Sequence, residues 1–373
     1  MKSPRFALAL IVFALSADWA AWAAEPIVLA TGNGAKTPKQ PQVAVGDDGV
    51  AHVAYGVGDT VFYCRSDDGG KTFSAPEAAF RCPNMSLGMR RGPRIAASGK
   101  AVVITAIGGP QGKGRDGDLQ AWRRAQDERK WTGPVTVNDV AASAREGLHG
   151  MASGPDGMVW CTWLDLRSKK SEVYAAASKD SGRTWGPNLR VYRSPGGNVC
   201  ECCHPSVAIG PQGQVHILFR NSLDGQRDMY LATSADGKSF APAKKLGAGA
   251  WELDACPMDG GMLAVLSTGE VLTAWRRENT VFTTLGTAGK ESSLGQGEQP
   301  VVAALPAGSI TVWIRRRPGD LLMQMNSAKR PTRLATEAID PAVAASAKTG
   351  GPVIVCWEGA HSGRRAVFAQ RID

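Results

Sequence analysis

The sequence predicts an all-β fold, a single β-propeller built from four-stranded blades. One strand–turn–strand unit recurs along the chain, and no amphipathic helix follows the N-terminal segment. Each unit spans roughly 40–56 residues, the length that four short strands with tight turns require. Because one such blade cannot bury both of its faces, the blades are expected to pack in a ring.

The first element is an export signal at residues 1–23. Lys2 and Arg5 supply its positive charge, and Phe6 to Leu15 form its apolar core. Small residues at Ala21 and Ala23 precede the predicted cleavage point. The apolar core is shorter than the ~20 residues of a membrane-spanning helix. We therefore expect residues 24–373 to form the mature propeller, exported to the periplasm or secreted.

The mature chain is basic. The formal net charge is +9, and removal of Lys2, Arg5 and Asp18 (two positive charges, one negative) lowers it to +8. A basic exported protein is attracted to acidic surfaces and acidic sugars, although the same charge can simply maintain solubility. The basic residues are scattered, not gathered on a helix, which argues against a nucleic-acid partner. We expect a glycan or acidic small-molecule ligand, no membrane span and a monomer.

The second strand of each unit ends in an aromatic residue, predicted to fill the space between neighbouring blades. Six segments have this ending: His52–Tyr55, Val159–Trp163, His216–Phe219, Val271–Trp275, Ile310–Trp313 and Val353–Trp357. Ile107 takes the same place in a weaker copy. Five first strands begin at a proline, namely Pro41, Pro93, Pro205, Pro300 and Pro341. Short apolar runs between Gly/Pro/Asp-rich turns are typical of strands.

The sequence contains seven copies of the unit, and six blades are the alternative if the weak second copy is irregular. The last copy, Asp340–Asp373, has room for only three strands. The segment Pro26–Ala30 precedes the first copy and is strand-like. It is predicted to add the missing outer strand to the last blade and so close the ring.

Two segments match the pattern Ser-x-Asp-x-Gly-x-Thr-aromatic, Ser66–Phe73 and Ser178–Trp185, and Ser234–Phe240 is a third copy one residue short. The Asp carboxylate can accept turn amides, and the glycine can adopt positive φ. With these Asp boxes at blade spacing, the chain resembles the sialidase (neuraminidase) superfamily over nearly all of residues 24–373. The resemblance places the boxes between strands three and four, on the face away from the active site.

The resemblance also implies a set of arginines that binds a carboxylate, because the planar guanidinium binds that group bidentately. Arg91, two residues before Pro93, resembles the first arginine of the family. Arg276 and Arg315 end later second strands, and His149 stands at the start of an inner strand, so all are candidates for substrate binding. The alternative is that these arginines are solvated loop ends.

The catalytic residues of the family transfer only in part. The acid/base aspartate corresponds to Asp116 or Asp118, but the family's nucleophile is a tyrosine, and no tyrosine follows Tyr230. Asp340 stands near the expected place of the nucleophile. A carboxylate can act as the nucleophile of a retaining glycosidase, although it would repel a sialic carboxylate. Whether the protein is an enzyme stays open.

Cysteines are concentrated in one loop. Cys200, Cys202 and Cys203 precede His204, and Cys256 lies at the start of the next blade. In an exported protein such a set favours disulfides. The alternative is a Cu or Zn site, because thiolates and imidazole bind Cu(I) and Zn(II).

Three functions therefore remain open. The first is binding of a glycan or other acidic ligand at an arginine-rich central mouth. The second is exo-glycosidase activity of the sialidase type with a non-tyrosine nucleophile. The third is metal binding or redox chemistry at the Cys-x-Cys-Cys-His loop. We prefer the first, because it needs only the fold, the charge and a concave mouth.

Overall fold

The computed structural model describes residues 24–99, 101–112, 114–286, 290–326 and 328–373. The predicted export signal at residues 1–23 lies outside them. The described residues form β-strands and two short 3-10 helices, Gly34–Lys36 and Pro155–Gly157. None of their helices is long and apolar enough to cross a membrane. The predicted all-β class is confirmed.

The described strands pair into six antiparallel sheets, five of four strands and one of seven. Strand β1 (Ile27–Gly32) comes first in the chain and belongs to the seven-stranded sheet. The first four-stranded sheet contains β2 (Lys39–Val45), β3 (Ala51–Val57), β4 (Thr60–Ser66) and β5 (Glu77–Arg81). The second contains β6 (Arg94–Ser98), β7 (Ala101–Gly108), β8 (Asp118–Ala125) and β9 (Thr132–Thr136).

Three further four-stranded sheets follow in chain order. The third contains β10 (Ala144–Ser153), β11 (Val159–Asp165), β12 (Glu172–Ser178) and β13 (Leu189–Tyr192). The fourth contains β14 (Ser206–Ile209), β15 (Val215–Arg220), β16 (Met229–Ser234) and β17 (Lys244–Lys245). The fifth contains β18 (Met262–Val265), β19 (Val271–Arg277), β20 (Thr280–Leu285) and β21 (Ser292–Gln296).

The seven-stranded sheet consists of two four-stranded groups that share one long strand. It contains β1 and β22 (Glu298–Leu305), β23 (Gly308–Ile314), β24 (Gly319–Met325), β25 (Thr332–Ala345), β26 (Val353–His361) and β27 (Arg364–Ile372). The first half of β25 pairs with β24, and its second half pairs with β26. Strand β1 pairs with β27. The prediction that the N-terminal strand completes the last blade is therefore confirmed.

The inner strands close the ring. Each contacts the next in the order β2, β6, β10, β14, β18, β22 and β25, and β25 contacts β2 again. In the described part of the chain the ring thus holds seven four-stranded groups, two of them joined through β25. We call the side with the connections between blades the loop face. The turn face is the side with the turns between first and second strands.

The core lies between neighbouring blades. The second strands extend one to four residues beyond the residues predicted to end them. Those residues are all buried, namely Tyr55, Ile107, Trp163, Phe219, Trp275, Trp313 and Trp357. Tyr55 of the first blade, for example, packs in one apolar cluster with Ile354 and Cys356 of the last blade. Aromatic burial between sheets thus supplies much of the apolar contact that holds the ring together.

The Asp boxes connect third and fourth strands. In the second box, the Asp180 carboxylate accepts hydrogen bonds from the amide and hydroxyl of Thr184 and from the hydroxyl of Ser178. Gly182 has φ +82°, and a Cβ there would lie 3.0 Å from the side chain of Val103 on the preceding blade. The box therefore closes its own turn and also packs against a neighbour.

Candidate functional site

Three residues at the starts of inner strands lie in β-bulges. The pairing with the second strand shifts at Gln40, Gln299 and Asp340, and each has φ between +51° and +54°. A proline follows each of them. Bulges of this kind redirect a side chain. All three side chains are buried near the loop face.

These redirected side chains form a hydrogen-bonded network between blades. Gln299 Nε2 donates to Asp340 Oδ1 at 2.7 Å, and the Asp340 amide donates to Gln299 Oε1 at 2.8 Å. The Gln299 amide donates to Asp259 Oδ2 at 2.8 Å. Arg317 donates to Asp340 Oδ2 at 2.9 Å. The candidate nucleophile Asp340 is thus buried and held by an amide and a guanidinium group.

Glu358, on β26, is a second buried carboxyl of this region. It is 3% exposed and accepts the Gln40 amide at 2.8 Å. Burial first, and the negative charge of Asp340 second, raise the pKa of Glu358 to about 7. The sequence analysis missed this residue. The sequence does contain a signal for Glu358, because this charged residue directly follows the aromatic residue of a second strand.

Four of the described arginines are buried, namely Arg90, Arg94, Arg123 and Arg220. Arg90, Arg94 and Arg220 all act electrostatically on His204, and these three differ in how many hydrogen bonds they donate. Arg220 donates to the carbonyls of Arg227, Asp259 and Arg276, and Arg94 donates to the carbonyls of Arg90, Pro93 and His149. These two arginines link neighbouring blades through the main chain. Arg90, in contrast, donates only to the Pro341 carbonyl among the described residues, at 3.0 Å.

Arg90 is 5% exposed and forms no ion pair with a carboxylate in the described part of the chain. Asp340 pairs with Arg317, and Asp259 lies 3.6 Å from Arg276, so both act on Arg90 only through space. Burial lowers the pKa of Arg90. A buried charge without a paired partner is costly. Arg90 is therefore the side chain here that most needs an anion.

Two buried histidines lie beside these arginines. His149 is fully buried, and its Nε2 lies 3.0 Å from Thr105 Oγ1. Neither ring nitrogen of His204 has a hydrogen-bond partner among the described residues. Burial, and then the charges of Arg90 and Arg94, lower the pKa of His204 well below its usual value. Its neutral ring thus offers one donor and one acceptor.

Arg90, Arg94 and His204 line a cavity of about 270 Å³, which we call the axial cavity. The remaining walls are inner strands, including Val207 of β14. A second cavity of about 610 Å³ lies toward the turn face, where Pro155, Pro211 and Pro306 line it. The two cavities have lining residues in common: Val43, Ile95, Ala152, Ser153 and Ile209. The axial cavity therefore adjoins the turn face.

The arginines selected from the sequence have separate partners. Arg91 pairs with Glu146 at 2.8 Å and Arg276 with Glu298 at 2.6 Å. Arg315 pairs with Asp320 at 3.2 Å, and its side chain is 55% exposed. Each guanidinium group is neutralised by its own carboxylate. These three arginines thus do not form the free cluster that the resemblance implied.

Asp116 and Asp118 stabilise their own loop. The Asp116 carboxylate accepts the Gln111 amide at 3.1 Å, and Asp118 accepts the Asn138 side-chain amide and the Ala142 main-chain amide at 2.7 Å. Neither aspartate lines the axial cavity.

The cysteine loop brings three thiols together. Cys200 Sγ lies 3.3 Å from Cys203 Sγ and 3.7 Å from Cys202 Sγ, and all three residues are buried. Cys256 is exposed, and all these cysteines are free thiols, so the expected disulfide to Cys256 is not formed. His204, grouped with them in the sequence analysis, lines the axial cavity instead.

Comparisons with known proteins show the fold. No protein-family model and no curated protein matches the chain. The α-L-arabinanase of Penicillium chrysogenum, solved with arabinobiose, is 13% identical over 93% of this chain and 98% of its own, with a TM-score of 0.55. The leech intramolecular trans-sialidase is 10% identical over 93% of this chain and 70% of its own, with a TM-score of 0.53. Virginiamycin B lyase from Staphylococcus aureus is 10% identical over 94% and 99%, with a TM-score of 0.55.

These structural neighbours confirm the predicted resemblance at the level of the fold. The chain has the β-propeller fold of the sialidase type. Because the neighbours include both enzymes acting on sugars and a lyase, the fold alone does not define the chemistry.

Proposed function

We propose that the protein binds a small sugar acid in the axial cavity. The observation that carries this proposal is Arg90, a buried guanidinium group that lines the cavity, donates one hydrogen bond and lacks an ion pair among the described residues. An anion bound beside Arg90 offsets the desolvation of its charge. A carboxylate suits this position, because it accepts two parallel hydrogen bonds from one guanidinium group.

The size and lining of the cavity support a single small ligand. Its volume of about 270 Å³ lies just below the ~300–1,000 Å³ of typical small-molecule sites. One sugar ring fits such a volume, and an oligosaccharide does not. The His204 residue lies in the same wall. A sugar acid presents the carboxylate for Arg90.

Two further observations support the sugar class. Fold neighbours include an arabinanase in complex with arabinobiose and a trans-sialidase in complex with 2,7-anhydro-Neu5Ac. The basic mature chain attracts acidic ligands. We place the binding after export, as residues 1–23 predict.

Isothermal titration calorimetry on residues 24–373 tests this function. Glucuronate, galacturonate and N-acetylneuraminate serve as ligands, with glucose and galactose as neutral controls. We expect at least one acid to bind and the neutral sugars not to bind.

Arg90→Gln should weaken binding by roughly 10- to 100-fold, the loss expected for a hydrogen bond to a charged group. Arg315→Gln, the same change at an exposed ion-paired arginine, should leave the affinity unchanged. Equal affinities for acidic and neutral sugars would contradict the proposal.

Glycoside hydrolysis is the second candidate, and the pair Asp340 and Glu358 favours it. Glu358, with its pKa raised to about 7, can donate a proton, and Asp340 is held by Arg317. A pair of carboxyl groups, one of which can donate a proton, is the arrangement that glycosidases use. Both are buried here, so substrate would have to uncover them.

Fluorogenic sialosides and arabinofuranosides test the second candidate. Hydrolysis that disappears in both Asp340→Asn and Glu358→Gln would support it. Absence of turnover with every substrate, in a protein that binds a sugar acid, would reject it and leave binding as the function.

A further inference from the structure

The cysteine loop forms a compact group of sulfur atoms. The three thiol sulfurs of Cys200, Cys202 and Cys203 lie within 4.8 Å of one another, and the residues are 0%, 7% and 1% exposed. The thioether residue Met258, from the start of the fifth blade, packs against them. Neither the proposed ligand site nor the core of a blade accounts for this group.

The main chain holds the thiols in place. The Cys200 amide donates to the Arg220 carbonyl at 3.0 Å, and Val199 forms a β-bridge with Asn221. The loop is thus fixed to the end of β15. On its other side, Met258 from the start of the fifth blade packs against the three cysteines. Contacts from two blades thus hold the three thiols in place without a ligand. Binding of a metal ion therefore needs little reorganisation of the loop.

We propose that Cys200, Cys202 and Cys203 bind one Cu(I) ion. Thiolate and thioether sulfur are soft ligands and select Cu(I) or Zn(II) over harder cations. Structural zinc takes four ligands in a tetrahedron, with thiolates about 2.3 Å from the metal and hence about 3.8 Å apart. No described His, Asp or Glu, and no further described cysteine, lies close enough to these three cysteines to join them as a ligand of that kind. The missing fourth ligand favours three-coordinate Cu(I) over zinc.

The charge of such a site can be balanced. Binding converts three thiols to thiolates and releases three protons to solvent, and the copper stays Cu(I), so no electron is transferred. The resulting charge of the ion and its ligands is −2. Arg220, 1% exposed, acts electrostatically on Cys200 and Cys203. Its guanidinium group offsets part of that charge. This proposal does not depend on sugar binding.

Anaerobic titration of the reduced, full mature chain with Cu(I), in competition with bicinchoninate, tests the site. We expect one tightly bound Cu(I) per chain and a metal shell of sulfur only in X-ray absorption. Cys202→Ser changes the most exposed of the three thiols and should weaken binding by more than ~100-fold, beyond the loss expected for an outer-sphere residue. Cys256→Ser, the same substitution at an exposed cysteine outside the group, should not change binding.

Circular dichroism confirms that each variant is folded, and Cys203→Ala provides a second test if Cys202→Ser does not fold. Copper that still binds tightly to the folded variants, or that requires Cys256, would overturn the proposal. Preference for Zn(II) with nitrogen or oxygen in its shell would also overturn it. So would a disulfide among the three cysteines that persists in the exported protein and prevents copper binding.

Discussion

Burial lowers the pKa of His204 and Arg94, two side chains that line the axial cavity. It lowers the pKa of His204 well below its usual value and that of Arg94 to about 9. At neutral pH the imidazole is neutral and the guanidinium groups are charged. Among the described residues that line the axial cavity, the positive charge thus comes from arginine alone. Binding of a sugar acid should not follow the titration of a histidine.

Glu358 should make stability depend on pH. Burial and the charge of Asp340 raise its pKa from 4.5 to about 7 in the folded protein. The folded state therefore holds this proton more tightly than the unfolded state. The resulting stability is complete below about pH 4.5 and lost as the pH rises through about 7. Relative to Glu358→Gln, the wild type should lose stability over this range.

Urea unfolding between pH 4.5 and pH 8 measures this effect. Glu291→Gln is the control, because the hydrogen bond from Arg277 lowers the pKa of Glu291. The stability difference between wild type and Glu291→Gln should stay nearly constant over this range. A constant difference between wild type and Glu358→Gln would show that Glu358 is not buried as described.

The Asp boxes differ in how well they close their turns. Asp180 makes three hydrogen bonds of 2.6–2.9 Å within its box. In the shorter third box, Asp236 bonds to Lys238 at 2.9 Å but to Ser234 and Ser239 only at 3.3 and 3.4 Å. Asp180→Ala should lower the free energy of unfolding by about 1–2 kcal/mol. Asp236→Ala should lower it less, and equal losses in thermal unfolding would contradict this ranking.

Strand β1 should be essential to the last blade, because it covers the edge of β27. Leu29 of β1 is 7% exposed and belongs to the core between the first and last blades. Leu29→Ala should destabilise the protein by about 2–3 kcal/mol. Leu285→Ala, at a leucine that is 44% exposed, should change stability by no more than ~0.5 kcal/mol. Similar unfolding curves for the two variants would mean that β1 does not close the ring.

For the whole ring, the architecture was predictable because its signals are local and repeated. Segments such as Val159–Trp163 and Val271–Trp275 show the strand, the buried aromatic end and the spacing without reference to distant residues. The last copy of the unit has room for only three strands, and the strand-like segment Pro26–Ala30 is not used by the first copy. The sequence therefore also predicted that this segment completes the last blade.

The candidate site was less predictable, because it depends on main-chain conformation and on contacts between blades. Arg90 has φ +68° and is buried, whereas the adjacent Arg91 pairs with Glu146, and the sequence pattern selected Arg91. The sequence analysis selected Asp340, but not its hydrogen bonds from Gln299 and Arg317. These residues lie 41 and 23 positions away in the chain. Sequence spacing contains no information on either contact.

A crystal structure with the tightest-binding of the three sugar acids tests the proposed function most directly. We predict density for the ligand in the axial cavity, with carboxylate oxygens within hydrogen-bonding distance of the Arg90 guanidinium group. Density beside Arg276 or Arg315, with no ligand in the axial cavity, would contradict the proposal. That result would place the binding site at the arginines that the family resemblance implied.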